Sequence, residues 1–255
     1  MSSRRRSKKD AASTVGPPQA PPSQYSRRER VLYVGCEGEV TEYDYLRHLN
    51  KEYGSGDSET GRPAFTIKPV RKADGLTPSR AVEAVVDAAQ GEDETWVLFD
   101  RDSHHDIPEA FAAAADSDTE VCFSHPSFEL WLLLHFQPFG GAQGAARNTH
   151  VLEKLRKADP AYKRFDKPDK GLDAARTKAL TGKEKAAVQH ARALVGQCEH
   201  DGCKPANATF EAPKYGPSAK ERAARSGHAK NCEVLNRDPS TDVWRLLVSL
   251  GIVTV

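Results

Sequence analysis

A short, unbroken apolar run that ends in two carboxylates constrains this chain more than any other stretch. Every residue from Trp96 to Phe99 is apolar, the pattern of a strand buried on both faces in a parallel sheet. Asp100 and Asp102 follow directly. Functional sites in open α/β sheets lie beyond the carboxyl ends of the strands, and an extended backbone would point both carboxylates the same way. The stretch predicts a cation site or, alternatively, a solvated turn after a strand.

A second acidic stretch lies upstream, after the predicted first buried strand, Val31–Val34. That strand leads into a turn that carries Glu37, Glu39 and Glu42. An acidic turn repels phosphate unless a metal ion lies between them, so it is a poor nucleotide-binding loop and a good candidate for a metal site. Carboxylates held close together repel one another, and hard oxygen ligands favour magnesium, manganese or calcium over zinc.

Strand and helix patterns alternate along the first half of the chain. Phe65–Val70 is typical of a second strand, near a sheet edge because Pro69 lacks an N–H. Glu120–Phe123 fits a fourth strand, and Thr41 and Asp44 have the spacing of a capping box at the start of the first helix. This alternation predicts an α/β fold with a mainly parallel sheet flanked by helices and right-handed crossovers. A site shared by the two acidic stretches requires Val31–Val34 and Trp96–Phe99 to be neighbouring parallel strands.

The composition divides the chain into three regions. Residues 1–28 are basic, proline-rich and poor in apolar side chains, which predicts a disordered tail. Residues 29–140 carry the α/β pattern, and residues 141–255 are predicted to be mostly helical. Within this last region we expect a flexible insertion at about 198–236 and a final capped helix over 238–248 that packs on the core.

The fourth predicted strand leads into an apolar helix whose first turn contains Glu129. Phe128–Phe136 is apolar almost all round, so the helix should be buried. A carboxylate there is costly to desolvate without a partner, which could be the free N–H groups of the helix, an arginine or the metal site. Glu129 is therefore either a structural cap or a member of the site. We favour the site, because this strand should end on the same side of the sheet as Asp100.

The overall charge gives no reason to expect nucleic-acid binding by the chain as a whole. The formal net charge is +1 with 29% charged residues, so such an affinity must come from a local patch. The helical region carries basic residues that could face phosphate, with Tyr162 and Phe165 nearby for base stacking. The interspersed acidic residues make an ordinary solvated face equally plausible. The basic residues are Lys163, Arg164, Lys167, Lys170, Arg176, Lys178, Lys183 and Lys185.

Cysteine usage and hydropathy bear on the compartment. Five cysteines without a disulfide-like framework fit a reducing cytosol. No apolar run approaches the ~20 residues needed to span a bilayer, and the N-terminus lacks the apolar core of a signal peptide, so we expect a cytoplasmic protein with no membrane partner. Cys198, Cys203, His228 and Cys232 offer enough ligands for a structural zinc ion, but their spacing matches no common zinc module, and a site without metal is favoured.

Taken together, several stretches resemble the RloB family, bacterial proteins often encoded beside an ATPase in restriction-modification and phage-defence clusters. The resemblance covers about residues 30–250, except for residues 198–236, which match poorly. Family members usually have Asn where this chain has His125. The matching stretches are Cys36–Glu42, Phe99–His104, His125–Phe136 and Asp238–Val243.

This resemblance implies a Toprim-like, Rossmann-type domain in which a glutamate after the first strand and an Asp-x-Asp after a later strand bind magnesium for phosphoryl transfer. It assigns Glu37, Asp100 and Asp102 as the ligands of Mg²⁺ or Mn²⁺. The implied activity is a nuclease of phage defence that cleaves DNA or RNA, with an ATPase encoded nearby as a partner. Glu42 or Glu39 could complete the metal shell or act as the base, and His104 could protonate the leaving group.

The second class of function is a binding protein. In that case the chain is a non-catalytic module that binds nucleic acid or the partner ATPase, and its metal site is structural or vestigial. The sequence does not choose between DNA and RNA, and it leaves the oligomeric state open.

Overall fold

A computed structural model of the chain describes most of its residues. The described residues are 30–38, 40–72, 75–91, 93–101, 104–140, 147–166, 168–198, 200, 202–205, 226–229 and 231–255. The tail predicted over residues 1–28 lies outside them, as do Glu39, Asp102 and Lys167.

A five-stranded sheet organises the fold. Its spatial order is β2-β1-β3-β4-β5, and the first four strands of the chain pair in parallel, whereas β5 runs antiparallel to β4. The edge position predicted for the strand with Pro69 is confirmed. The strands are β1 (Arg30–Cys36), β2 (Phe65–Val70), β3 (Glu94–Asp100), β4 (Glu120–His125) and β5 (Ser240–Thr241).

Strands β1 and β3 are direct parallel neighbours, as the two apolar runs predicted. Val34 lies opposite Trp96 and Cys36 opposite Leu98. The carboxyl ends of the two strands therefore meet at one edge of the sheet, and the acidic residues that follow each strand are brought to the same place.

Helices cover both faces of the sheet, which confirms the predicted α/β class. Helices α2 and α3 pack on one face, and α1, α4, α5, α7 and α8 contribute to the apolar cluster on the other. The helices are α1 (Thr41–Tyr53), α2 (Pro78–Ala88), α3 (Ile107–Asp116), α4 (Phe128–Leu134), α5 (Asn148–Ala158), α6 (Ala174–Leu180), α7 (Glu184–Leu194) and α8 (Val243–Ser249), with 3₁₀ turns at Pro160–Tyr162, Val195–Gln197 and Val234–Asn236.

The two faces divide the side chains of β3 by the period of two that a strand imposes. Val97 and Phe99 enter the cluster under α2 and α3, whereas Trp96 and Leu98 enter the cluster under α1 and α4. Asp100 continues the second series. Its position in the strand therefore directs its side chain toward the face that carries α1 and α4.

The C-terminal region shares its hydrophobic core with the α/β part. Trp244 and Leu247 of α8 belong to the same buried cluster as Trp131 of α4 and Trp96 of β3. The predicted start of that helix was wrong. The helix begins at Val243 without a side-chain cap, and the preceding residues form β5, which is too short for a pattern of apolar alternation to reveal.

A buried ion pair fixes α8 to the sheet. The guanidinium of Arg245 donates to the carboxylate of Glu120 at the start of β4 and to the carbonyl oxygen of Val121, 3.1 Å away. Both charged side chains are almost fully buried, so their attraction offsets part of the desolvation of each. Within the described residues, no helix is both long and apolar enough to cross a membrane.

We expect Arg245→Met to lower the free energy of unfolding by about 3–5 kcal/mol, because it removes the guanidinium that offsets the burial of the Glu120 carboxylate. Urea denaturation measures this loss. Arg80→Met, at an exposed position on α2, is the control and should change stability by less than about 0.5 kcal/mol. Adding Glu120→Gln to Arg245→Met should recover part of the loss. Equal effects of the two arginine substitutions would show that the ion pair does not anchor the helix.

Candidate metal centre

A cavity of about 750 Å³ opens at the carboxyl edge of β1 and β3. It lies where ligand sites of open α/β sheets are expected. Four carboxylates and two basic side chains contribute to its lining: Glu37, Glu42, Asp100, Glu129, Arg101 and Lys170. The carboxylates come from the turn after β1, from α1, from the end of β3 and from α4, so the fold gathers acidic groups that are far apart in sequence.

Glu37 is bonded to the end of β3. Its Oε2 atom accepts a hydrogen bond from the backbone N–H of Asp100 at 3.0 Å, and its own backbone N–H donates to the carbonyl oxygen of Leu98 at 3.2 Å. The Nε2 atom of His104 lies 2.6 Å from Oε1 of Glu37. Three of the predicted site residues, Glu37, Asp100 and His104, thus form one contiguous group.

Asp100 faces the cavity, as its position in β3 requires. Its side chain accepts a hydrogen bond from the backbone N–H of Phe128, the first residue of α4. Burial raises the pKa of Asp100 well above its usual range, and the negative charges of Glu42, Glu129 and Glu37 raise it further. The bond to Phe128 opposes this shift without overcoming it.

Glu42 lies in the first turn of α1 with only 8% of its surface exposed. Burial raises its pKa to about 7, and the charges of Glu129 and Glu37 add to that effect, while Lys170 lowers it. The carboxylate packs directly on Gly38. A Cβ atom at position 38 would lie 2.0 Å from Oε2 of Glu42, so any larger residue there would displace the carboxylate from this position.

Glu129 is the most buried of the four carboxylates, and its partner is a lysine. The ammonium of Lys170 donates to Oε1 of Glu129. Two residues of α1 hold the segment that carries this lysine. Thr41 Oγ1 donates to the carbonyl oxygen of Lys170 at 3.0 Å, and Asp44 Oδ2 accepts from the backbone N–H of Leu172 at 3.0 Å.

The capping box predicted for α1 was therefore wrong. The helix has no side-chain cap at its N-terminus, and Thr41 and Asp44 bond to the C-terminal region instead. From the sequence, the expected partners of Glu129 are the helix N–H groups, an arginine or a metal ion. Lys170 is not among them. No local pattern reveals this pair, because the contact joins segments 41 residues apart in sequence.

The basic residues expected to face phosphate divide into two groups. Lys170 points into the acidic cavity, and Arg176 is buried, with its guanidinium bonded to the Asp169 carboxylate and to the carbonyl oxygen of Gly171. Tyr162 and Phe165, proposed for base stacking, are fully buried and cannot stack on a base. Lys183 belongs with the residues that contact other protein groups, because its ammonium donates to the carbonyl oxygen of Ala179 at 2.7 Å. The exposed members are Lys163, Arg164, Lys178 and Lys185.

A second cluster of possible metal ligands lies in the C-terminal region. Four side chains each place one ligand atom within 4.8 Å of the ligand atoms of the other three, so they could hold a metal ion: Cys198, Cys203, His228 and Cys232. The sequence favoured a site without metal here because the spacing was unfamiliar. The structure brings the two pairs of residues together.

Fold and site together define an α/β protein with a mainly parallel sheet and a crowded acidic cavity at the carboxyl edge of that sheet. A family model described as RloB-like protein matches residues 32–250. The chain belongs to the RloB-like family. No curated protein matches the chain, and no solved structure matches it.

The stability of the metal-free protein should depend on pH through Glu42. The pKa of this group rises from 4.5 in the unfolded chain to about 7 in the folded protein, so the folded state binds more protons than the unfolded state between these values. Its stability should therefore fall as pH rises from 4.5 to 7, by up to about 1.4 kcal/mol per pH unit. Asp100 should contribute in the same direction.

Glu42→Gln should flatten this slope, because the amide does not titrate. Urea denaturation at pH 5, 6 and 7.5, in buffers without magnesium or manganese, measures the effect. Glu52→Gln is the matched control, since Glu52 is exposed on the same helix, and it should leave the slope unchanged. A wild-type protein whose stability rises over this range would contradict the assignment of a protonated Glu42.

Proposed function

We propose that this protein is a magnesium- or manganese-dependent nuclease that cleaves phosphodiester bonds of DNA or RNA. One observation carries the proposal: Glu37, Glu42, Asp100 and Glu129 line one cavity at the carboxyl edge of the sheet. The resemblance of the acidic motifs to Toprim-type domains supports it, and the association of the RloB family with phage-defence clusters suggests anti-phage defence as its role.

The chemistry of the donor set fits Mg²⁺ or Mn²⁺. Carboxylate oxygens are the ligands these ions prefer, and the raised pKa values of Asp100 and Glu42 reflect negative charge that a cation would offset. Glu37 and Asp100, with Asp102 from the sequence motif, would hold the ion. When bound, it would neutralise phosphate charge and lower the pKa of the attacking water.

The side chains around the ion have separate roles in this proposal. Glu42 lines the same cavity and would act as the general base, since a bound cation would lower its pKa from the metal-free value of about 7 and leave the carboxylate ionised near neutral pH. His104, 2.6 Å from Glu37, can hold a proton at Nε2 and deliver it to the leaving oxygen. Glu129 orients Lys170, whose ammonium would contact phosphate oxygens of the substrate.

The alternative is a non-catalytic module that binds nucleic acid or a partner ATPase. The ion pair between Lys170 and Glu129 favours it, because the ammonium offsets one of the four carboxylates without any divalent cation. Exposed basic residues such as Lys163 and Arg164 would serve phosphate binding in either case.

A cleavage assay separates the two functions. The wild-type protein, incubated with single-stranded DNA, duplex DNA and RNA, should cleave at least one substrate with Mg²⁺ or Mn²⁺ and none without. Asp100→Asn and Glu37→Gln should each reduce the rate by about 100-fold or more. Their metal-free stability should be unchanged or slightly higher, because each substitution relieves repulsion among the carboxylates.

Asp87→Asn is the control for this assay, since it removes an exposed carboxylate on α2 and should leave the rate unchanged. Binding of nucleic acid without cleavage under every condition would favour the alternative. Full activity of Asp100→Asn would place the reaction elsewhere in the molecule.

The position of Lys170 gives a prediction about metal affinity. Lys170→Met removes a positive charge from the cavity, so it should tighten Mn²⁺ binding by about tenfold, since repulsion from a nearby positive charge costs on the order of 1–2 kcal/mol. The same change should lower metal-free stability at pH 7.5 by about 1–3 kcal/mol, because Glu129 loses its partner.

Calorimetric titration with Mn²⁺ and urea denaturation measure these two quantities. Lys178→Met, at an exposed position, is the matched control and should change neither. Weaker Mn²⁺ binding by Lys170→Met would mean that the lysine supports the metal site rather than competing with the ion.

A further inference from the structure

The thiol and imidazole cluster of the C-terminal region consists of two ligand pairs that are distant in sequence. Cys198 and Cys203 follow the 3₁₀ turn after α7, and His228 and Cys232 precede the 3₁₀ turn Val234–Asn236. A backbone hydrogen bond of 3.0 Å from the N–H of Lys204 to the carbonyl oxygen of Gly227 joins the two segments. The two ligand pairs are therefore held next to each other by the backbone.

The distances in the cluster fit a shared metal ion and not a disulfide. The Sγ atoms of Cys198 and Cys232 are 3.7 Å apart, far longer than the ~2.05 Å of an S–S bond. Two thiolates on one tetrahedral zinc ion, with Zn–S bonds of about 2.3 Å, lie about 3.8 Å apart. Nδ1 of His228 lies 3.8 Å from Sγ of Cys232, close to the separation that two ligands of one ion require.

The surroundings of the cluster suit a closed structural site. Cys232 and His228 are buried, and Cys198 and Cys203 are half-buried. The backbone N–H of Ala229 donates to Sγ of Cys203 at 3.2 Å, an interaction that stabilises a thiolate. Four protein ligands leave no open coordination position for a substrate, and thiolate and imidazole ligands select zinc over magnesium or calcium.

We propose that Cys198, Cys203, His228 and Cys232 bind one structural zinc ion. His200 is the competing candidate for the fourth position, because its Nδ1 atom lies 3.2 Å from Sγ of Cys198 and 3.6 Å from Sγ of Cys232. His200 does not belong to the group of four residues whose ligand atoms all lie within 4.8 Å of one another. We assign His200 as a hydrogen-bond donor to the thiolates and His228 as the ligand.

The zinc ion fixes the last strand of the sheet. Arg237 donates from Nη2 to the carbonyl oxygen of Cys232 at 3.0 Å, and the chain then enters β5. Thr241 of β5 bonds to Ser124 of β4, with 3.0 Å between the hydroxyl oxygens. Ser124 lies opposite Asp100 in the sheet. The ion thus holds the chain that covers the outer edge of β4, next to the acidic cavity but without contributing a ligand to it.

Metal analysis of the full-length protein, purified without chelators and dialysed, tests this proposal. The wild type should contain one zinc ion per chain. Cys198→Ser, Cys232→Ser and His228→Asn should lose it and should melt about 10 °C or more below the wild type. His200→Asn should retain the zinc, and so should Cys122→Ala, which removes a core cysteine outside the cluster.

Cobalt substitution of the wild type keeps the test decisive if the cysteine variants do not fold. Tetrahedral Co²⁺ bound by thiolates should give intense visible and near-ultraviolet absorption, displaced by one equivalent of Zn²⁺. Asp100→Asn should retain zinc, since the acidic cavity supplies no ligand to this ion. A wild-type protein that holds no zinc would overturn the proposal. Zinc lost in His200→Asn but kept in His228→Asn would overturn the ligand assignment.

Discussion

Several negatively charged carboxylates lie close together at the carboxyl edge of the sheet, and the candidate site depends on this crowding. Glu42, Asp100 and Glu129 come from three different elements, and burial with mutual repulsion raises the pKa of Glu42 and Asp100. Apolar packing on both faces of the sheet holds the three backbone positions together, so the carboxylates cannot relieve the repulsion by moving apart. The Lys170 ammonium offsets part of this repulsion, and protonation or a bound cation would lower the energy further, which is why we propose the cavity as a cation site.

The C-terminal region completes this site. Thr41 and Asp44 of α1 hold the segment that carries Lys170, and Lys170 contacts Glu129 inside the cavity. The same region shares one apolar cluster with the sheet. The segment that carries Lys170 therefore determines how much negative charge in the cavity is left for a divalent ion, because the ammonium offsets part of it.

The two proposed metal sites differ in the chemistry of their donor atoms. Carboxylate oxygens line the cavity, and sulfur and imidazole nitrogen form the cluster around Cys232. Hard and soft ligands select different ions, so the two sites can be loaded independently. They are linked through the backbone, since the chain that leaves the cluster forms β5 against β4, beside the strand that delivers Asp100.

The sequence by itself determined the α/β class, the pairing of β1 with β3 and the meeting of Glu37 with Asp100. Each follows from a local pattern: apolar runs long enough to form buried strands, and acidic residues placed directly after them. Tertiary structure alone decided that Lys170 pairs with Glu129, that Thr41 bonds to the C-terminal region, and that the cysteine and histidine pairs converge. These contacts join residues far apart in the chain, and their geometry depends on how helices pack around the sheet, which no local periodicity encodes.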